Sequence, residues 1–443
     1  MKTESIITRF APSPTGNLHL GGARTALFNY LFTAKQNGRI ILRIDDTDNE
    51  RSRPEYEESI KSGLAWLGLS FDQEIKQSER TDIYRRYLKQ LLAGGQAYVS
   101  TDEGGREPVI RFKNPNRLIR FTDLIRGNIE FDTSDLGDFV IAKDENRPLY
   151  HLASVIDDRE LGITHIIRGE DHISNTPRQI LITEALAVAD EIKPTVAYAH
   201  IPLILAPDRS KLSKRHGAVD LRQYREQGYL PEAMINFLAS LGWSAQAGKE
   251  GTNQEIFTLT ELTKLFSLDG IQKSGAVFNQ DKLDWFNREQ IKRLPADELF
   301  TQIKNQLPEN IFTRPTYSDE RLRQIIPLIT ERITVFNDIR RLAEEGEYDF
   351  YFSPPGLAKE MLGPAKYLAQ TKEIIDQIDK DDFTAEVIKD KLWDFATANG
   401  RGEVLWPLRV ALTGREKSPD PFTVAAIIGK EETLSRISYA LTL

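Results

Sequence analysis

The sequence predicts an α/β chain in which a doubly wound, mostly parallel sheet is interrupted by a β-rich insertion and followed by an all-α tail. Three observations predict it. Strand-like apolar runs alternate with helical patterns through the first part of the chain. Short strands separated by turn residues then replace that rhythm, after which the alternation resumes. Beyond Gly217 almost every apolar pattern has helical spacing.

The elements follow in order. Ser5 to Arg9 reads as a strand, and Pro12-Ser13-Pro14-Thr15-Gly16 as a stiff turn. A helix is expected from Gly21 to Asn37, stopped by Gly38, and Arg39 to Ile44 is a strand apolar enough to be buried on both faces. Pro54 opens a helix with Tyr56, Ile60, Leu64 and Leu67 on one face, and another, Ile83 to Leu91, stops at Gly94-Gly95. This repetition is Rossmann-like. The insertion contributes strands at Val109–Phe112, Leu118–Phe121, Asn128–Phe131 and Phe139–Ala142. His165–Ile167 and Asn175–Ala187 resume strand and helix. The tail has helices at Pro231–Leu241, Ser318–Ile329, Arg332–Ala343, Pro364–Ile378 and Thr384–Ala396, broken at Ser353-Pro354-Pro355 and Ser418-Pro419-Asp420-Pro421.

With 443 residues the chain is too long for one core, and 40% hydrophobic with 28% charged residues is ordinary for a soluble protein. No apolar run approaches the ~20 residues that cross a bilayer, and the first ten residues lack a signal-peptide core, so no membrane association and a cytoplasmic location are expected. The absence of cysteine removes disulfides, thiol catalysis and cysteine-ligated zinc. A net charge of −8 argues against a nonspecific nucleic-acid coat but leaves room for a local basic face. None of the six histidines lies beyond His216, which puts the chemistry in the first half.

Two segments carry that chemistry. Arg9 to Thr25, containing His19-Leu20-Gly21-Gly22, is a strand, a turn and the start of a helix. Amides at such a start attract phosphate, and the glycines allow close approach. It is neither a G-x-x-x-x-G-K-[ST] loop nor a G-x-G-x-x-G site. The second is Lys211-Leu212-Ser213-Lys214-Arg215, where Arg209, Lys211, Lys214 and Arg215 crowd a loop that can clamp a triphosphate. Either one alone reads as a capped helix or a solvated loop.

Together and in this order, the two segments resemble the paired signatures of class I aminoacyl-tRNA synthetases. Arg9–Thr25, Arg43-Ile44-Asp45-Asp46-Thr47-Asp48, Tyr150–Asp158, Ile167–His172, Phe278–Trp285 and Leu408–Gly414 are similar to bacterial glutamyl-tRNA synthetases, and the likeness covers nearly the whole chain. It implies an α/β Rossmann-like class I catalytic domain with a β-rich connective insertion, then an all-α anticodon-binding region. The expected division is 1–96 and 146–216 for the halves of the catalytic domain. It gives 97–145 for the acceptor-end insertion, 217–305 for a stem-contact helical domain and 306–443 for the anticodon-binding helices.

The resemblance implies ATP-dependent attachment of L-glutamate to the 3′-terminal adenosine of tRNA(Glu), or also tRNA(Gln), through a glutamyl-adenylate, by a monomer, with Mg²⁺ accompanying ATP and no structural zinc. Arg9, Arg168 and Tyr150 match ligands of the side-chain carboxylate, and Ser13, Asp45 and Ser154 the remainder of the glutamate site. His19, Gly21, Gly22, Asp171, Lys211, Ser213, Lys214 and Arg215 match the ATP site, with His19, Lys211 and Lys214 as catalytic groups. Arg321, Arg323, Arg340, Arg341 and Arg409 are candidate tRNA contacts, as is Arg401, with Trp406 and Phe422 for base stacking. Asp45 stands where the family usually has Glu, Ser154 stands where it has Asn, and the insertion is short. Rival readings are a glutaminyl-tRNA synthetase and a catalytically inactive tRNA-binding or regulatory protein.

Overall fold

The computed structural model describes residues 5–48, 50–101, 107–190, 196–212, 220–245 and 254–443. They form two compact units, Met1–Asn287 and Arg288–Leu443.

The first unit opens with β1 (Ile7–Phe10), α1 (Leu20–Lys35), β2 (Arg39–Ile44), α2 (Pro54–Trp66), β3 (Gln73–Lys76) and α3 (Thr81–Ala93). β1, β2 and β3 pair in parallel, with Arg9 opposite Ile41 and Arg43 opposite Ile75. Both faces of β2 are covered, which is why Ile40 to Ile44 is an unbroken buried run rather than an alternating one. Then come β4 (Ala97–Ser100), β5 (Val109–Phe112), β6 (Leu118–Asp123), β7 (Gly127–Asp132), β8 (Phe139–Asp144) and β9 (Arg147–Pro148). α4 (Tyr150–Glu160), β10 (His165–Gly169), α5 (Thr176–Asp190) and β11 (Ala197–Ile201) complete the α/β core.

β10 and β11 pair in parallel. Thr164, just before β10, donates its N–H to the Ile7 carbonyl at 2.9 Å and accepts the Ile7 N–H on Oγ1 at 2.9 Å, so β10 lies beside β1. The chain therefore leaves β1 in one direction and returns on its other side, which makes the β1–β10 junction the topological switch point where α/β sheets open a crevice at their carboxyl ends.

The strands of the insertion divide between two sheets. β4, β5, β8 and β9 form an antiparallel sheet of their own, whereas the β6–β7 hairpin joins the main sheet, with Asp123 beside Tyr198 of β11. Leu124 N–H to the Tyr198 carbonyl, at 2.8 Å, continues that junction. The sequence places both hairpin strands in a separate insertion and predicts none of β3, β4 and β11, of which β3 and β4 are four residues long with polar residues at one or both ends. α6 (Leu221–Glu226), α7 (Pro231–Ser240), α8 (Leu259–Leu265) and α9 (Gln280–Arg293) follow, with β12 (Ile204–Leu205) and β13 (Ala276–Val277) paired in parallel.

The second unit is helical, from α10 (Ala296–Gln306) through α11 (Glu309–Phe312), α12 (Asp319–Arg332), α13 (Asn337–Glu344), α14 (Asp349–Phe352), α15 (Lys359–Leu362), α16 (Leu368–Asp376), α17 (Ala385–Asn399), α18 (Arg401–Thr413) and α19 (Pro421–Ile428) to α20 (Lys430–Ala440). Leu322, Ile325, Ile329, Ile388, Leu392, Leu408 and Ile437 are buried at helical spacing. The break at Ser418–Pro421 serves as a cap, where the Asp420 carboxylate accepts the amides of Phe422 and Thr423 at 3.1 and 2.9 Å. Asp420→Ala removes the cap, worth about 1 kcal/mol, and hydrogen exchange at those two amides is expected to speed up about fivefold while exchange in α1 stays unchanged.

Candidate functional site

The crevice at the β1–β10 switch point is a cavity of about 640 Å³. Arg9 near the end of β1, Asp45 just beyond β2 and Arg168 near the end of β10 reach it from the sheet, Tyr150 from the start of α4, and His19, Gly21 and Gly22 from the start of α1.

Its floor is a buried ionic network. Arg43, 1% exposed, donates to both oxygens of Asp45 at 2.6 and 3.2 Å and to Asp158 Oδ1 at 2.6 Å. Arg9 Nε reaches the same Asp158 oxygen at 3.1 Å. Asp157 is fully buried and accepts from Gln77 Nε2 at 2.8 Å, Arg80 Nε at 2.7 Å and the Tyr84 hydroxyl at 2.9 Å. Burial alone would keep Asp158 protonated, but Arg9 and Arg43 bring it below the usual carboxylate range. Asp45 is pushed up to about 6 by burial, against the pull of Arg43 and helped by Asp157 and Asp158. Three guanidinium groups, Arg9, Arg43 and Arg80, thus meet three carboxylates, Asp45, Asp157 and Asp158.

Arg168 is different. It is buried, yet no carboxylate pairs with it among the described residues. Its Nε donates to His200 Nε2 at 3.2 Å, one Nη donates to Thr176 Oγ1 at 2.7 Å, and the other approaches the Tyr150 hydroxyl at 3.5 Å. Burial lowers its pKa, and neighbouring Arg9 lowers it further. Tyr150 in turn meets His172 Nδ1 at 3.0 Å, and burial with Arg168 nearby depresses His172 to about 4, so its imidazole is neutral. Arg168 is therefore a desolvated positive charge with no carboxylate bonded to it among the described residues, as is Arg24, which lines the same cavity but donates its guanidinium to the Leu241 and Pro202 carbonyls.

The mouth is built on α1. His19 caps the helix, its Nδ1 accepting the Gly22 amide at 3.1 Å. Enclosure by the cavity wall holds His19 below its usual range, so it is neutral with the proton on Nε2, ready to donate. Gly21 makes this possible, because a Cβ there would lie 3.1 Å from His19 Nδ1. Lys211 pairs with Asp171 at 3.3 Å, and Gly169 lets the Asp171 carboxylate fold back, since a Cβ would meet it at 2.5 Å. Leu212 lines the cavity and Asp220 bridges to His19.

Arg9, Ser13, His19, Gly21, Gly22, Asp45, Tyr150, Arg168, Asp171 and Lys211 thus line one cavity, as the sequence reading expected them to share a site. Ser154 does not; it lies buried a turn beyond Tyr150 on α4, with its hydroxyl unpartnered. Ser213, Lys214 and Arg215 lie outside the described residues. In the helical unit Arg321 is committed internally, to Glu432 at 3.3 Å and the Tyr351 and Ile428 carbonyls at 3.1 and 3.2 Å, so it is not offered to a partner. Phe422 is buried and cannot stack on a base. Arg323 lies over Phe300 and pairs with Asp297, and Arg341 pairs with Glu345 and Asp338. Arg340 is exposed, Arg409 is half-buried, Arg401 covers Trp393, and Trp406 is 39% exposed.

Several residues of the site were not singled out as such: Arg43, Gln77, Arg80, Tyr84, Asp123, Asp157, Asp158, Thr176 and His200. The spacing of Tyr150, Ser154, Asp157 and Asp158 on one side of α4 was a usable signal, since two adjacent buried acids in an apolar helix require cations opposite them.

Residues 5–104 and 100–285 match the family of tRNA synthetases class I (E and Q), catalytic domain, and residues 298–441 match an anticodon binding domain. Glutamate–tRNA ligase 1 of Acidithiobacillus ferrooxidans is 38% identical over 98% of this chain and 99% of its own length. The corresponding protein of Rubrobacter xylanophilus is 41% identical over 98% of each. The chain belongs to the glutamate–tRNA ligase family. A crystal structure of a glutamate tRNA ligase from Elizabethkingia meningosepticum in complex with its amino acid superposes with a TM-score of 0.86 at 35% identity, covering 99% of both chains.

Asp158 bridges two buried guanidinium groups, so Asp158→Asn is expected to destabilise the first unit by about 3–5 kcal/mol, read as a lowered denaturant midpoint. Replacing the exposed Asp48, which pairs with Arg51 at the surface, is expected to change stability by less than about 1 kcal/mol.

Proposed function

We propose that this cavity activates L-glutamate with ATP and transfers it to the 3′-terminal adenosine of tRNA. The observation that carries the reading is Arg168, a buried cation facing the cavity with no carboxylate partner among the described residues, beside Arg9, Arg43 and Arg80, whose charges are matched by Asp45, Asp157 and Asp158. A side-chain carboxylate supplies the missing charge. A side-chain amide of the same shape leaves it unmet, and this selects glutamate over glutamine.

In this reading Arg168 and the Nη groups of Arg9 hold the side-chain carboxylate, with Tyr150 alongside. The α-amino group donates to Ser13 and to the lone pairs of Asp45 that Arg43 does not use. The nucleotide, carried as its Mg²⁺ complex with the ion on phosphate oxygens, lies along the start of α1. There His19 Nε2–H and the Gly21 amide face its phosphates, the Gly22 amide being held by His19 Nδ1. Lys211 and Asp171 sit at the same rim, and Lys214, with Ser213 and Arg215, neutralises the departing pyrophosphate.

A glutamate α-carboxylate oxygen attacks the α-phosphorus, the bond to the bridging oxygen breaks and pyrophosphate leaves. The 2′-hydroxyl of the terminal adenosine then attacks the acyl carbon of the glutamyl-adenylate, and AMP departs with the bonding pair. No protein nucleophile takes part, so the rate comes from positioning and from charge placed where charge develops. The helical unit supplies the anticodon contacts, for which Arg340 and Arg409 are the arginines left most available.

The test is glutamate-dependent ATP–pyrophosphate exchange with tRNA(Glu), with tRNA(Gln) and without tRNA. Exchange with glutamate and not glutamine supports the reading, and no exchange under any condition overturns it. Arg168→Gln should raise the KM for glutamate by roughly 10–100-fold, the worth of a charged hydrogen bond, and spare the KM for ATP. An ionised Asp45 is needed for the amino group. Because its folded-state pKa lies at about 6, glutamate binding should weaken as pH falls through 6, by about tenfold per unit once Asp45 is protonated. Isothermal titration between pH 5 and 8 reads this directly.

A further inference from the structure

We propose that His200 is a positioning residue for Arg168, fixed in one tautomer by Asp123; this rests on the reading of Arg168 as the ligand of the substrate's side-chain carboxylate.

His200 is fully buried on β11. Its Nε2 lies 3.2 Å from Arg168 Nε and 3.1 Å from Thr176 Oγ1, and its Nδ1 lies 2.6 Å from Asp123 Oδ2. A guanidinium can only donate, so His200 Nε2 accepts and carries no proton. The single ring proton is therefore on Nδ1 and is donated to Asp123. Both neighbours dictate the same tautomer. Burial and the adjacent Arg168 keep the imidazole neutral, outweighing Asp123, which favours the charged ring. A second cation against Arg168 is thereby avoided.

Asp123 is itself tightly held. Its Oδ1 accepts the amides of Ile125 and Arg126 at 2.9 and 2.8 Å, and its Oδ2 accepts that of His200 at 3.1 Å. The chain Asp123–His200–Arg168 fixes the Nε edge of the guanidinium, and Thr176 takes a second donor at 2.7 Å. What remains is the Nη1 edge beside Tyr150, so the orientation of the fork is set before any ligand arrives. His200 never touches the substrate and acts through Arg168.

Asp123→Asn is the most informative change. Because two amides point at Oδ1, the new carboxamide oxygen must stay there and its NH₂ faces His200 Nδ1. The ring proton then moves to Nε2, where it opposes the Arg168 Nε–H. Asp123→Asn and His200→Leu are expected to raise the KM for glutamate about tenfold or more and to leave the KM for ATP within twofold. His200→Gln, whose amide oxygen can accept from Arg168, should recover most of the loss. ¹⁵N spectra of histidine-labelled protein should show His200 with a bare Nε2 in the natural chain and a bare Nδ1 in Asp123→Asn. If His200→Leu fails to fold, the Asp123→Asn and His200→Gln pair carries the test through the same two KM values.

Arg168→Gln is measured beside them. If it leaves the glutamate KM unchanged, the reading of Arg168 falls and this inference with it. If it raises that KM while Asp123→Asn does not, Arg168 stands as ligand and the positioning role alone is overturned. An unshifted tautomer in Asp123→Asn, or equal losses in glutamate and ATP binding, overturns it as well.

Discussion

The structure of the catalytic half depends on one constraint, that a guanidinium group buried as deeply as that of Arg43 must find an acceptor for its donors, which for Arg43 means the carboxylates of Asp45 and Asp158. Breaking such a pair is costly because the remaining charge has nowhere to go. The constraint binds β2 to α4 through Asp158, α4 to β1 through Arg9, and α4 to α3 and the segment before it through Asp157 with Tyr84, Gln77 and Arg80. The carboxyl ends of β1 and β2 and the start of α4 line the cavity. The same contacts therefore match the charges of Arg9, Arg43 and Arg80 and leave Arg168 without a carboxylate bonded to it among the described residues.

How much of this could be read beforehand follows from the range of the interactions. β2, β5 and the opening of α2 at Pro54 were read with their observed bounds or starts, because apolar runs and proline act locally. The start of α1 was displaced by a residue, since His19 rather than glycine caps it. β3 and β11 were missed because they earn their strand conformation from parallel neighbours and not from their own composition. The lining of the cavity was largely legible through family likeness. Its support was not. His200 and Asp123 are 77 residues apart, and Arg9 and Asp158 are 149 apart, so no local pattern announces either contact.

The helical unit shows the opposite failure. Arginines on helices are easy to see in a sequence, but whether they face a partner or their own fold is a matter of packing. Arg321 lies in a half-buried hydrogen-bond set, Arg323 covers a phenylalanine, and Arg340 remains exposed, though all three read alike as cations on amphipathic helices. Phe422 reads like a stacking surface and is instead the core residue beneath the α19 cap.

The β6–β7 hairpin has a consequence for how such enzymes can be altered. It arrives by sequence as part of a segment inserted into the nucleotide fold, yet it adds a strand beside β11 and places Asp123 beneath the floor of the cavity. The segment is therefore not a removable cassette. A graft that exchanged it for the corresponding segment of a relative would carry off the buried carboxylate that holds His200, along with the surface being exchanged. The donor would have to supply a carboxylate at the same point, and chimeras are best cut on the β4-β5-β8-β9 side, leaving the hairpin with its host.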